Sequence, residues 1–168
     1  MAGGPRDLAA RSGATPLTWA DAVGSGGTAE SNPACYRART VGMVRWIVDG
    51  MNVIGSRPDG WWKDRRRAMV GLVDQLERWV SADGDDVTVV FERPPSPAIH
   101  SSLIEIAHAP RAAANSGDDE IVRLVRADAR PQEIRVVTSD STLTDRVRDA
   151  GASTYPAERF RNLIDPLR

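Results

Sequence analysis

Apolar positions along the chain follow two periods, and from Met43 onward these alternate. Val44–Val48 is a short apolar run that ends abruptly at Asp49-Gly50 and, two residues later, Asn52. It reads as a buried strand delivering a carboxylate to the edge of a sheet. A polar loop, Gly55-Ser56-Arg57-Pro58-Asp59-Gly60, follows. Met69, Leu72, Val73, Leu76, Trp79 and Val80 recur at three- and four-residue spacing, which predicts a helix over 63–80. Asp86–Phe91 (DVTVVF) is rich in β-branched residues and predicts a second strand. Arg93-Pro94-Pro95-Ser96-Pro97 must be a loop. Ser102–Ala107 is a weaker third strand.

Helix and strand keep alternating to the end. Asp118–Ala129 carries Ile121, Leu124 and Val125 on one helical face. Glu133–Thr138 is strand four, and Asp140–Ala150 is a helix closed by Gly151. Ala152–Tyr155 is a short strand five, and Ala157–Ile164 is a last helix. Strands with few charges between helices imply an α/β fold with a mostly parallel sheet covered on both faces. Residues 1–42 are rich in Gly, Ala, Ser, Thr and Pro and show no sustained periodicity. They read as a disordered tail or as sequence upstream of a true start at Met43; residues 43–168 are the domain.

Composition removes several chemistries. Of 168 residues, 22 are basic and 23 acidic, so net charge is −1 and no global basic footprint marks a nucleic-acid binder. Lys63 is the only lysine; the remaining cations are arginine, which suits bidentate phosphate contacts but also follows from GC-rich coding. The single cysteine, Cys35, excludes an intramolecular disulfide and a cysteine zinc site. Two histidines, His100 and His108, exclude a multi-histidine metal site. No apolar run approaches the ~20 residues of a membrane span, and the N-terminus lacks a signal-peptide pattern. The expected compartment is cytoplasmic, with no membrane association.

In a parallel sheet, ligands bind beyond the carboxyl ends of the strands, near a switch in strand order. Three acidic outputs fall there: Asp49 with Asn52; Asn115-Ser116-Gly117-Asp118-Asp119-Glu120; and Thr138-Ser139-Asp140-Ser141. Each has an innocent explanation. Asp49-Gly50 can be a turn, Ser116 with Asp119 a capping box, and Asp140 or Ser141 a helix cap. Together they suggest carboxylates close enough to repel, which raises their pKa values or recruits a cation. A hard oxygen-binding ion, Mg²⁺ or Mn²⁺, suits such a set and supports phosphodiester hydrolysis. Asp145 reads as a solvated acid, and both histidines as surface residues. Arg57, Lys63, Arg65, Arg66 and Arg67 ring the same edge and suit a polyphosphate substrate. Trp61 and Trp62 beside them either stack on bases or pack as core.

Three pieces, Val48-Asp49-Gly50-Met51-Asn52-Val53-Ile54, Ser116-Gly117-Asp118-Asp119-Glu120-Ile121 and Val136-Val137-Thr138-Ser139-Asp140, resemble in order and spacing the NYN domain of the YacP-like branch, within the PIN-like nuclease superfamily. The resemblance spans about residues 43–166, including Phe160-Arg161-Asn162-Leu163. It implies a PIN-like three-layer α/β/α sandwich and a Mg²⁺- or Mn²⁺-dependent ribonuclease cutting RNA at the acidic edge; the leading expectation is an endoribonuclease acting on single-stranded RNA. It implies Asp49, Asp118 and Asp140 as metal ligands, Asp119 as a ligand or supporting acid, and Asn52 as the residue that positions substrate or water. Arg57, Lys63, Arg66 and Ser139 are the expected substrate contacts. The family more often has Ala at the place of Gly117. The competing reading is a catalytically weak or inactive RNA- or ribosome-binding module of the same fold. A phosphatase of the haloacid-dehalogenase type needs a second Asp where Met51 stands, and no P-loop GxxxxGK[ST] is present.

Overall fold

The computed structural model describes residues 44–110 and 115–165; the expectation for residues 1–42 lies outside them. Five parallel strands form one sheet: β1 (Arg45–Asp49), β2 (Asp86–Phe91), β3 (Glu105–His108), β4 (Ile134–Val137) and β5 (Ser153–Tyr155). Among the described residues, five α-helices flank it: α1 (Gly50–Gly55), α2 (Arg65–Asp83), α3 (Ser116–Ala127), α4 (Ser141–Asp149) and α5 (Ala157–Ile164). The strand order is β3-β2-β1-β4-β5. The chain therefore builds outward from β1 in one direction, then returns and builds outward in the other. The reversal opens a crevice at the carboxyl ends of β1 and β4.

Alternation along β1 assigns the two faces. Trp46 and Val48 join a core with Leu72, Leu76, Val80 and Phe160 from α2 and α5. Ile47 joins a second core with Ile121, Val125, Leu143 and Val147 from α3 and α4. The result is an α/β/α sandwich. Trp46 anchors the first core in an aromatic cluster, its ring centroid 5.5 Å from Trp79 and 5.2 Å from Phe160. Asp49, on the same side of β1 as Ile47, emerges toward α3 and α4.

The helix ends follow their residues. Asp64 caps α2 by accepting from Arg67 N at 2.9 Å, and Gly84 ends it in a left-handed conformation, φ 74°. Gly151, φ 94°, follows α4 in the same way.

Three elements depart most from the pattern. Residues 50–55, expected to lead into a loop, form α1, which is too short for periodicity to reveal. Strand three is Glu105–His108 rather than Ser102–Ala107, because pairing with Thr88–Phe91 sets its register. The third helix starts at Ser116 rather than Asp118. Its cap position is Asn115, φ 61°, with no side-chain cap bond, so the expected Ser116–Asp119 capping box does not form. Ser116 Oγ instead donates to Glu92 O at 3.4 Å, seating the start of α3 on the end of β2.

α1 packs so closely on β2 that a Cβ at Gly50 would overlap the Phe91 ring and lie 3.1 Å from Val90 O. Gly71, exposed in mid-α2, has open space where its Cβ would go. Gly50→Ala is expected to destabilise the domain by ~1–3 kcal/mol through overpacking. Gly71→Ala is expected to stabilise it by up to ~1 kcal/mol through helix propensity. Urea unfolding of the two variants checks both signs.

Candidate active site

Asp49 is the last residue of β1 and the N-cap of α1. Its Oδ1 accepts from Asn52 N at 3.1 Å, and its Oδ2 accepts from Thr138 Oγ1 at 3.3 Å. Thr138, 3% exposed, follows β4. The same hydroxyl oxygen accepts from Asp140 N at 3.1 Å. One threonine thus joins the acid of β1 to the acid after β4. A second tie runs parallel, because Ser139 N donates to Asn52 Oδ1 at 2.9 Å. Asp140 caps α4 through Oδ1, which accepts from Leu143 N at 2.8 Å.

Asp118 comes from the opposite flank, in the first turn of α3. It is half-buried, and its field reaches both other acids. Burial pushes the Asp49 carboxyl up to about 6, and the charges of Asp118 and Asp140 add to that rise against the lowering effect of its hydrogen bonds. Burial, then Asp140, holds the Asp118 carboxyl above its ordinary range, with Arg146 opposing. Asp49, Asp118 and Asp140 therefore share one electrostatic site. Among the described residues, no three His, Cys, Asp or Glu side chains close into a ready-made metal cage. The donor set is oxygen only, mutually repelling and partly exposed, which fits a hard divalent cation that keeps several waters.

The remaining expected residues divide. Asn52 lies in the site, where its amide oxygen holds the β4–α4 loop. Asp119 is turned to Arg146, whose Nη2 donates to its Oδ1 at 2.6 Å. Glu120, 6% exposed, is held by Arg123. Of the three consecutive acids, Asp118 is the one that acts on Asp49, and Asp119 in turn acts on Asp118. Ser139 Oγ accepts from Ala157 N at 3.1 Å and so seats the start of α5.

The basic residues are spread more widely. Arg57 Nη1 donates to Asp165 Oδ2 at 2.7 Å and Nη2 to Asn162, which pins the end of α5. Lys63 lines a cavity of about 550 Å³ with Trp61, Arg67 and Arg161; none of the three converging acids lines it. Arg66 lines a smaller cavity together with Met51 and Glu92; the three acids do not line this one either, but Glu92 acts electrostatically on Asp118. Trp61 packs against the core, whereas Trp62 is 56% exposed. Asp145, His100 and His108 are exposed.

Three contributors were not foreseen. Thr138 ends the expected strand four, and its hydroxyl carries no signal in the sequence. Arg146 lies on a helix remote in sequence from Asp119. Glu92 directly follows β2, and its charge raises the Asp118 carboxyl. The rule that ligands gather beyond strand ends would have found Glu92 had it been applied to β2. Gly117 rests on Glu92, and a Cβ there would meet Glu92 Cγ at 3.4 Å, an ordinary contact. Either Gly or the family's Ala is accommodated.

A parallel 3-2-1-4-5 sheet with acids gathered at its switch point is a nuclease-type, PIN-like architecture. The chain belongs to the YacP-like NYN domain family, whose model matches residues 46–168. Two solved structures are similar to it, both of Rae1 (YacP) from Bacillus subtilis. One, a mutant form, is 26% identical with a TM-score of 0.59, covering 73% of this chain and 77% of that one. The other is 25% identical with a TM-score of 0.60, covering 73% and 75%. A comparison with curated protein sequences returns no match. Among the described residues, no helix is long and apolar enough to cross a membrane.

The raised Asp49 carboxyl makes metal-free stability depend on pH. In the folded chain this group titrates near 6, against 3.8 when unfolded. Between those values the folded state holds a proton that the unfolded state has lost, so stability falls as pH rises. The penalty is absent below about pH 4 and complete above about pH 6, on the order of 2–3 kcal/mol. Asp49→Asn keeps a capping side chain and removes the charge. It is expected to raise the melting temperature of the metal-free protein at pH 7.5, with the gain vanishing near pH 4. Thermal melts in chelator across that range check this.

Proposed function

We propose that this chain is a metal-dependent ribonuclease, an endoribonuclease hydrolysing phosphodiesters of cytoplasmic single-stranded RNA at the Asp49–Asp118–Asp140 edge. The observation behind this reading is that acids from three separate chain segments meet electrostatically: Asp118 and Asp140 both raise the proton affinity of Asp49, and Asp140 raises that of Asp118. Carboxylates held in mutual repulsion favour either a proton or a cation.

Asp49, Asp118 and Asp140 would hold Mg²⁺ or Mn²⁺. Such an ion supplies charge neutralisation at the phosphodiester and acidifies a water. The protein does the rest by orientation. Thr138 fixes Asp49 and the Asp140 backbone at once, and Asn52 keeps the β4–α4 loop against α1. Arg146 ties Asp119 away and moderates the negative potential at Asp118. Arg66, which shares a cavity with Glu92 and has no carboxylate partner among the described residues, is suited to hold a substrate phosphate.

Asp49→Asn is expected to lower Mn²⁺-dependent cleavage of a single-stranded RNA by ~100-fold or more, the scale of losing one electrostatic group at a reacting centre. Asn52→Ala, one step removed, is expected to cost ~10–100-fold. Calorimetry should find Mn²⁺ binding that Asp118→Asn weakens. Undiminished cleavage by a clean Asp49→Asn preparation sinks the proposal. RNA binding without Mn²⁺ affinity or cleavage would favour a pure RNA-binding module instead.

A further inference from the structure

The smaller cavity, about 210 Å³, opens where β2 ends, on the opposite side of the sheet edge from Asp118. Its floor is apolar, formed in part by Met51 and Phe91. Its rim carries three arginines, Arg65 and Arg66 from the start of α2 and Arg93 from the loop after β2. All three are exposed, and none has a carboxylate partner among the described residues. Arg65 lies over the Trp61 ring, 5.5 Å from its centroid. Glu92 belongs to both neighbourhoods: it lines this cavity and acts electrostatically on Asp118. Met51 follows the capping Asp49 by two residues, so floor and acid are parts of one turn.

We infer that this cavity is a nucleotide subsite beside the cleavage site, taking one unpaired base on its apolar floor while Arg66 and Arg93 hold the phosphates flanking it. The inference rests on the ribonuclease reading for where the scissile phosphate lies. Size argues for one base, since the volume is below the ~300–1,000 Å³ of drug-sized ligand sites. Charge argues for an anionic ligand, because unpaired arginines crowd the rim of an apolar hollow in a chain with no overall positive charge. Unpairing follows from shape. A base stacked in a duplex is not available to a pocket off the phosphate path, whereas a splayed base of a single strand is. The subsite would thus select single-stranded RNA locally, and Met51 lends the floor an adaptable surface that tolerates more than one base.

The test uses the full-length Asp49→Asn chain, which holds RNA without cutting it under the proposed mechanism. Fluorescence anisotropy compares a short single-stranded RNA, its blunt duplex, and a set of strands each with one abasic position. The expected result is at least about tenfold tighter binding of the single strand. One abasic position should weaken binding about fivefold or more, and Met51→Trp, which fills the hollow, should erase that dependence. Arg66→Ala with Arg93→Ala on the exposed rim should flatten the slope of log affinity against log salt by about 1.4, two phosphate contacts' worth on a single strand. Equal binding of duplex and single strand, a flat abasic scan, or an unchanged salt slope overturns the subsite. Cleavage by the wild-type chain with a flat scan removes the subsite and leaves the ribonuclease reading. The binding pattern without cleavage does the reverse.

Discussion

The reversal of strand order at β1 is the constraint on which the rest depends. Crossovers to β2 and β3 run one way and those to β4 and β5 run the other, so the loops leaving β1 and β4 diverge over a gap. Backbone N–H groups that open α1 and α4 face that gap and need acceptors. Asp49 and Asp140 supply them. Thr138 then spans the gap by donating to one acid and accepting from the backbone of the other. A carboxylate needed for capping is thereby buried where solvent cannot stabilise it. Its raised proton affinity is the consequence.

Capping and metal binding are often posed as rival explanations of an acid at a helix start. Here they are compatible. The cap bonds at Asp49 and Asp140 both fall on Oδ1. A carboxylate has about four lone-pair sites, so Asp140 with its one cap bond, and even Asp49 with a second bond from Thr138, keep capacity for a cation. Capping also fixes the rotamer, which a ligand set needs as much as a helix does. The fold therefore holds each acid still by a bond that would be required anyway, and accepts the mutual repulsion that results.

Much of this was legible in the residues. β-Branched runs such as DVTVVF mark the strands, and the spacing of Met69 through Val80 marks α2, because burial on one face imposes a period. The three acidic outputs could be gathered from order alone, since a parallel sheet delivers every strand to the same edge. What stayed hidden was non-local or very short. The ion pair of Arg57 with Asp165, 108 residues apart in sequence, is invisible to local spacing. The partner of Asp119, Arg146, lies on another helix and is equally invisible to local spacing. α1 is six residues long, and two turns are too few to display a 3.6-residue period. β3 is displaced from expectation because its four residues are set by the neighbouring strand rather than by their own pattern.

The division of the arginines decides how a nearly neutral protein can address a polyanion. Arg57, Arg146 and Arg161 are neutralised by carboxylates and serve the fold; Arg161 also donates to Ile54 O at 2.6 Å, closing the end of α1. Arg66 and Arg93 carry no such partner among the described residues and border the acidic edge. Screening confines a surface charge to about 8–10 Å at physiological ionic strength. Net charge is then a poor guide, because an approaching phosphate responds to the few charges within that radius. A negative centre attracts a cation, and unpaired arginines beside it attract the strand. Neither effect requires the protein to be basic as a whole, so a net charge of −1 is compatible with an RNA-directed site.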